Sequence, residues 1–375
     1  MATRAFSKFL TVFLALLQLV RSLGRRTKNP NPRRILVVHH LLLGDTLMLT
    51  PLLAKLRERF PRAEIAMTTP VGFVPLYRER PYGVDAVSYD PRRPGTLIRL
   101  MRQPGFDLAF VPGDNRYSWL ALALGARWIV AFSGDRPAYK SWPVNERVPY
   151  SSTPASWGDM VARLVEGEAP SLYRPEAWGE PECQPFDLPS SPYCVLHVGA
   201  RSPYRLWGKD RWARLAAYLT RRGLTVVWSA GPGEGTQVSA IDPGGCHASY
   251  AGKLDLAQLW HLLKRARLLV CPDTGIAHMG RLVNAPTVTL FGPGSATLFG
   301  AGEFWKSSPY RAITVDNFPC RDQNMLFKRE IPWMRHCSRG AKECGNNLCM
   351  QVISLDRVES AIESLLGLEP ERNAA

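Results

Sequence analysis

Short apolar runs alternating with helix-spaced segments decide what this chain of 375 residues can fold into. In the first half the runs are Arg34–His40, Glu64–Thr68, Val84–Tyr89, Asp107–Val111 and Trp128–Phe132. In the second half they are Tyr193–Val198, Thr225–Ser229, Leu268–Cys271 and Pro286–Phe291. Runs this short and continuous suit strands buried on both faces of a parallel sheet. Between them the apolar residues fall at helical intervals, most plainly over Thr46–Arg59, where Leu49, Leu52, Leu53 and Leu56 share one side. Such alternation builds parallel sheets wrapped by helices. A stretch rich in Pro and Glu, Glu168–Pro192, interrupts it once. The chain is therefore expected to be α/β, with two doubly wound, Rossmann-like domains facing each other across a cleft. The expected divisions are an N-terminal segment 1–30, a first domain 31–170, a linker 171–192, a second domain 193–350, and a closing helix with its tail, 351–375. No internal repeat is visible.

Hydrophobic residues make up 46% and charged residues 21% of the chain, a balance that excludes a disordered protein. The formal net charge of +15 favours anionic partners, the alternative being a solvated basic surface with no partner. No zinc finger, basic zipper or other nucleic-acid module is present, so the excess points to phosphate groups or an anionic membrane face, and no nucleic acid is expected. Phe9–Val20 is apolar for twelve residues, too short to cross a bilayer as a straight helix. Lys8 precedes it, and Arg21, Arg25, Arg26 and Lys28 follow. Where a secretory signal would have a small-residue cleavage site stands Arg-Ser-Leu-Gly-Arg-Arg. The segment reads as an amphipathic helix lying in the membrane interface, its basic end on anionic headgroups. A poorly cleaved signal, a short anchor and a helix packed on the protein itself are the alternatives.

Residues 268–292 carry the clearest binding pattern. The run Leu268–Cys271 stops at Pro272-Asp273-Thr274-Gly275, and a small-residue helix begins near Ile276. A strand that hands over to a helix amino terminus leaves unpaired N–H groups and a positive dipole end facing a crevice, a place for a phosphate. Thr274 adds a hydroxyl, Gly275 lets an anion approach the backbone, and His278 sits one turn inside. The same residues would also make a plain N-capped helix with a satisfied histidine. In the first half, the opening strand runs to Leu41, Gly44 makes a turn and Asp45 opens a helix. Asp45 reads either as the N-cap or as a carboxylate aimed into the crevice, held ionised by the helix end and able to take a proton from an incoming hydroxyl.

As a set, these residues resemble glycosyltransferase family 9, the heptosyltransferases that build the inner core of bacterial lipopolysaccharide. The resemblance is carried by Gly44-Asp45-Thr46-Leu47 with Thr50-Pro51, and by His197-Val198-Gly199-Ala200. It continues through Arg205-Leu206-Trp207 leading to Trp212, Asp273-Thr274-Gly275-Ile276-Ala277-His278 and the Phe291-Gly292-Pro293 turn. It implies a GT-B fold with an acceptor-side first domain, a nucleotide-sugar-binding second domain and a closing helix that braces the first. It also implies an inverting mechanism without cofactor or catalytic metal, ADP-heptose as donor and a hydroxyl of the lipopolysaccharide inner core as acceptor. On that pattern Asp45 is the general base. Arg205 stands where the family usually has a lysine for the donor phosphates; arginine keeps the charge and adds a two-pronged fork. Asp273, Thr274, Gly275 and His278 fall on the pyrophosphate turn, with Gly199 and Ala200 as the opposite wall. Glu234 would accept from ribose hydroxyls, and Leu254 would line the adenine slot. A surface arginine stacked on Trp207 and an exposed loop glutamate are the plain readings of Arg205 and Glu234. The enzyme is expected in the cytoplasm, peripheral on the inner face of the inner membrane. A related transferase acting on a protein or another glycan, or an inactive nucleotide-sugar-binding scaffold, are the competing functions.

Two features depart from a plain family member. Leu41-Leu42-Leu43 replaces small polar residues just before Gly44 and leaves the acceptor's identity open; this apolar lip either touches lipid or fills a gap. Cys320, Cys337, Cys344 and Cys349 crowd into the last third, separated by sixteen, six and four residues with no CxxC pair. Their segment has little apolar periodicity, and four thiolates there would hold a structural zinc or iron. Unpaired thiols are the default, because a reducing cytoplasm disfavours disulfides.

Overall fold

The structure, a computed structural model, describes residues 2–21, 27–189, 192–315, 318–340 and 343–369. The chain forms two compact units. The first comprises Met1–Pro181 together with Asn324–Trp333, the second Glu182–Gln323 together with Met334–Ala375.

The first unit is built on six parallel strands, β1 (Arg34–Val37), β2 (Glu64–Thr69), β3 (Val84–Ser88), β4 (Leu108–Val111), β5 (Trp128–Phe132) and β6 (Glu146–Val148). Their order is β3-β2-β1-β4-β5-β6. The second unit has β7 (Tyr193–His197), β8 (Thr225–Ser229), β9 (Ala248–Ser249), β10 (Leu268–Pro272), β11 (Thr287–Phe291) and β12 (Tyr310–Thr314), ordered β12-β11-β10-β7-β8-β9. All of these pairings are parallel too. Counted from each unit's own first strand, both sheets have the order 3-2-1-4-5-6. The same topology thus occurs twice, without a repeat in the sequence. In each sheet the strand order reverses between the first and fourth strands, where such sheets open a crevice at the strands' carboxyl ends.

The central strands are buried along almost their whole length, which is why the sequence announces them as apolar runs. The strands β6, β9 and β12 carry no such run. They are sheet edges, with polar or alternating side chains that blunt an exposed edge. The helix expected over Thr46–Arg59 is two helices, Leu43–Leu47 and Thr50–Arg59. Pro51 falls in the first turn of the second, where its missing N–H is not needed; further inside a helix it would leave a carbonyl unbonded.

Three expected divisions differ in the structure. Part of the supposed linker 171–192 packs on the first unit: Tyr173 and Trp178 are buried, the Trp178 indole N–H donates to the Leu76 carbonyl at 3.1 Å, and its ring rests 5.0 Å from that of Tyr77. Within the segment assigned wholly to the second domain, residues 324–333 belong to the first unit. There β13 (Met325–Leu326) and β14 (Arg329–Glu330) form an antiparallel hairpin, with the Phe327 ring 5.0 Å from Trp157. Finally, the closing helix, Leu355–Leu366, is part of the second unit and packs its apolar stripe there. Leu355, Val358 and Ile362 join a core that contains Trp207, Trp212, Leu219 and Leu290.

The N-terminal helix, Ala2–Arg21, packs with an unusual polarity. Its small residues Ser7, Thr11 and Ala15, spaced four apart, face inward, and Ala15 joins the first unit's core beside the half-buried Leu10 and Leu14. Outward it presents Phe6, Phe9, Val12, Phe13, Leu16, Leu17, Leu19 and Val20, each 40–69% exposed. An ordinary surface helix does the reverse. Among the described residues no helix is long and apolar enough to cross a membrane. Arg25 and Arg26, and the side chain of Arg21, lie outside the described residues.

Trp178→Ala is expected to lower the unfolding free energy by about 3–5 kcal/mol, as loss of a buried aromatic does. Urea denaturation followed by circular dichroism measures it, and a change within experimental error would return residues 171–181 to the status of a linker.

Candidate functional site

In the second unit the predicted residues lie at the carboxyl ends of β7, β8, β9 and β10. After β10, Thr274 is extended and caps the helix Gly275–Leu282; its hydroxyl oxygen accepts from the Ile276 N–H at 3.3 Å. Asp273, just before it, is buried. Arg205, from the loop after β7, donates through Nη1 to the Asp273 main-chain carbonyl at 2.6 Å and lies 3.5 Å from its Oδ2. Burial pushes the Asp273 carboxyl up, while the cations Arg205, Arg281 and Arg321 oppose that rise. Arg205 is therefore more than a surface arginine beside Trp207, whose ring is buried edge-on to Trp212 at 5.1 Å.

His278, one turn into the helix, is buried. Its Nδ1 accepts from the Arg281 guanidinium, which leaves the ring proton on Nε2. Burial first, then the charges of Arg281 and Arg205, holds the imidazole well below its ordinary pKa, so the ring is neutral at physiological pH. Arg281 itself is buried, its guanidinium lying over Trp305 and Tyr310 at 5.1 and 5.0 Å. Its spacing of three from His278 made it legible in the sequence, yet it was not among the expected residues.

At the end of β8 the Glu234 carboxylate accepts from the Gly231 N–H at 2.7 Å. It also fills the space that a side chain at Gly199 would need, so with Glu234 in this position glycine is required there. The next loop is tied in by the Gly252 N–H, which donates to Ala230 O at 3.0 Å, and the half-buried Leu254 follows it. Gly199 and Glu234 thus meet, as do Arg205 and Asp273, while His278 is held by Arg281, whose charge also acts on Asp273. Ala200 is buried beside Gly199 in sequence.

Cys320, Cys337, Cys344 and Cys349 all line one cavity of about 720 Å³, which Tyr204, Arg205, His336 and Arg339 also border. All four are free thiols. Cys320 and Cys337 hydrogen-bond to each other, and Cys349 is pushed up to about 11 by burial and by the other three. Among the described residues no set of three or more His, Cys, Asp or Glu side chains is gathered so as to hold a metal ion.

In the first unit, Asp45 is the third residue of the helix Leu43–Leu47, whose N-cap is Leu42 without any side-chain bond. Asp45 is therefore not the cap, and its carboxylate is half-buried at the sheet's carboxyl edge. Of the apolar lip, Leu41 fills a gap against Gly113, while Leu42 is on the surface. The hairpin residue Arg329 organises the same edge. It donates to Gly113 O and Ser133 O at 2.9 Å each and to Asn115 Oδ1 at 2.6 Å, and pairs with Asp135 at 3.3 Å. Lys140 bridges Asp135 and Asp114 at 2.9 and 3.0 Å. The Arg329 guanidinium lies over the Tyr150 ring at 5.6 Å. Burial raises the Tyr150 phenol; Arg329 opposes this, while the charges of Asp135 and Asp45 add to it. Sequence reasoning missed Arg329 and Tyr150, and no local pattern marks either.

Comparison with known proteins gives a consistent result. The sequence pattern of a family described as Glycosyltransferase family 9 (heptosyltransferase) matches residues 95–310. Lipopolysaccharide heptosyltransferase 1 of Pseudomonas aeruginosa is 24% identical over 371 residues, covering 90% of this chain and 99% of its own. The solved structure of Escherichia coli ADP-heptose lipopolysaccharide heptosyltransferase II matches with a TM-score of 0.66 at 21% identity, covering 89% of this chain and 98% of that one. The iron-containing dodecameric glycosyltransferase TibC of enterotoxigenic E. coli matches with a TM-score of 0.57 at 16% identity, covering 90% and 77%.

Proposed function

This chain belongs to glycosyltransferase family 9, the heptosyltransferases, and we propose that it moves heptose from ADP-heptose to a hydroxyl of the lipopolysaccharide inner core with inversion at the anomeric carbon. It has the α/β architecture of the GT-B fold. The observation that carries the reading is the Arg205–Asp273 pair at the mouth of the helix Gly275–Leu282, where a fork of N–H donors and a helix amino terminus offer themselves to one anion.

In this scheme the second unit holds the donor. Arg205 and the amides after Thr274 take the diphosphate, and neutral His278 donates through Nε2. Gly199 and Ala200 let the backbone come close. Glu234 turns from the Gly231 N–H to the ribose hydroxyls, and Leu254 lies against the adenine. The first unit supplies the base. The acceptor oxygen bonds to the anomeric carbon as the bond from that carbon to the diphosphate breaks, and the hydroxyl proton passes to the Asp45 carboxylate. ADP leaves with its developing charge offset by Arg205 and the helix end. No cofactor enters these steps.

The outward face of the helix Ala2–Arg21 is proposed to lie in the anionic cytoplasmic leaflet of the inner membrane, where the acceptor resides. Eight large apolar side chains turned to solvent are stable only when something apolar covers them. The basic residues Lys8, Arg21, Arg25 and Arg26 fit acidic headgroups. For the cysteine cluster, a structural zinc or iron is proposed. Soft thiolates suit either metal, the four sulfurs already share one cavity, and TibC is iron-containing. Metal binding would draw the thiols closer than they stand here and deprotonate them.

Wild-type protein given ADP-heptose and Kdo-lipid A is expected to release ADP. Asp45→Ala should cut turnover about 10²- to 10⁴-fold while calorimetric ADP-heptose affinity is kept; equal loss of both would remove Asp45 from the role of base. Replacing Phe9, Phe13 and Leu16 together by Gln should take the protein off vesicles of phosphatidylglycerol and phosphatidylethanolamine in a flotation assay, and unchanged flotation would place membrane contact elsewhere. Elemental analysis of protein purified under reductant should find about one zinc or iron per chain; less than about a tenth would retire the metal.

A further inference from the structure

The cysteine-rich segment grips the donor site at two points. The Arg321 side chain is buried, and its Nη2 donates to the carbonyl of Gly294; through Nη1 it also reaches Thr314 Oγ1 at 3.3 Å and Val315 O. The Cys337 N–H donates to Pro293 O, the adjoining carbonyl, at 2.9 Å. The Pro293-Gly294 turn is thus pinned by residues from both ends of the 320–337 stretch. That turn in turn presses on Asp273: a Cβ at Gly294 would collide with the Asp273 carboxylate. Two buried atoms here have no hydrogen-bond partner among the described residues, Arg321 Nε and Asp273 Oδ2.

We propose that Arg321 is a positioning residue of the donor-diphosphate subsite, holding the Pro293-Gly294 turn against Asp273 and so fixing the Asp273–Arg205 pair that grips the diphosphate. The inference rests on the donor reading given above. It assigns the cysteine-rich segment a part in nucleotide binding that the motif residues alone do not.

The charge balance supports it. The charged groups acting on Asp273 are Arg205 from the loop after β7, Arg281 from the helix that Asp273 precedes and Arg321 from the cysteine-rich segment; the neutral Cys271 and Tyr310 from β10 and β12 feel its charge in turn. Three guanidinium groups against one carboxylate leave a positive excess in a buried place, which an anion would neutralise. The main-chain bond from Arg205 to Asp273 does not titrate, but the 3.5 Å ion pair with the carboxylate exists only while Asp273 is ionised. Burial raises its carboxyl and Arg321 is one of the cations that lower it, so removing Arg321 raises it further. The pair is present above that pKa and lost as pH falls through it.

The test is ADP binding by calorimetry from pH 5 to pH 8 on the full chain. Arg321→Met is expected to weaken ADP about 10-fold at pH 7.5, the equivalent of one charged hydrogen bond. It should also move the acid limb of the affinity profile to higher pH, while Arg321→Lys, keeping the charge, should restore that limb. Gly294→Ala, which leaves Arg321 in place but pushes on Asp273, should weaken ADP as well and guards against a folding defect in Arg321→Met. Wild-type affinity and an unmoved acid limb in both Arg321→Met and Gly294→Ala would overturn this inference alone. No ADP binding by the wild type would overturn the donor reading, and the inference with it.

Discussion

A carboxylate buried at the end of a strand costs several kcal/mol unless cations surround it, and Asp273 draws three of them from distant parts of the chain. Arg205 comes from the loop after β7, Arg281 from the following helix, and Arg321 from the segment that joins β12 to the closing helix. Each brings its own loop to the sheet's carboxyl edge. The first unit meets the same problem in the same way. Asp135, buried after β5, is met by Lys140 and by Arg329. Arg321 and Arg329 stand only eight positions apart, yet one supports the buried aspartate of the second unit and the other that of the first. A single stretch of chain therefore supplies a counter-charge to each half.

Much of the architecture was legible because central parallel strands are buried on both faces and read as uninterrupted apolar runs; β5 and β8 have the expected bounds. The rest was hidden for identifiable reasons. Edge strands such as Glu146–Val148 gain from polar side chains and so look like loops. Tyr173 and Trp178 are two anchors in a stretch whose Pro and Glu content suggests a linker. In the N-terminal helix, the helix itself and its flanking charge were readable, but its start at Ala2 and its inward side were not, since small residues rather than large ones face the core. At the site, residues gather where each follows a strand in sequence, as Gly199, Glu234 and Asp273 do. Arg321 and Arg329 reach the edges only through long-range pairing, which no local spacing records, and Tyr150 follows an edge strand that no apolar run announces.

The two sheets repeat a strand order without repeating a sequence. A doubly wound sheet asks for right-handed crossovers and for strands apolar on both faces, and many sequences meet those terms. What differs between the copies is the chemistry at the switch point. One presents a carboxylate on a short uncapped helix, the other a capped helix mouth with arginines. Such a division of labour follows from placing different loops on one scaffold.

The hairpin 324–333 has a practical corollary. Because its flanks belong to one unit and its residues to the other, exchanging halves between relatives takes more than one seam. A chimera joined only near Pro181 would pair Asp135 and Asn115 with a foreign hairpin and strand the Arg329 guanidinium opposite unfamiliar carbonyls. Grafts that carry Asn324–Trp333 along with the amino-terminal half would keep that buried circuit whole.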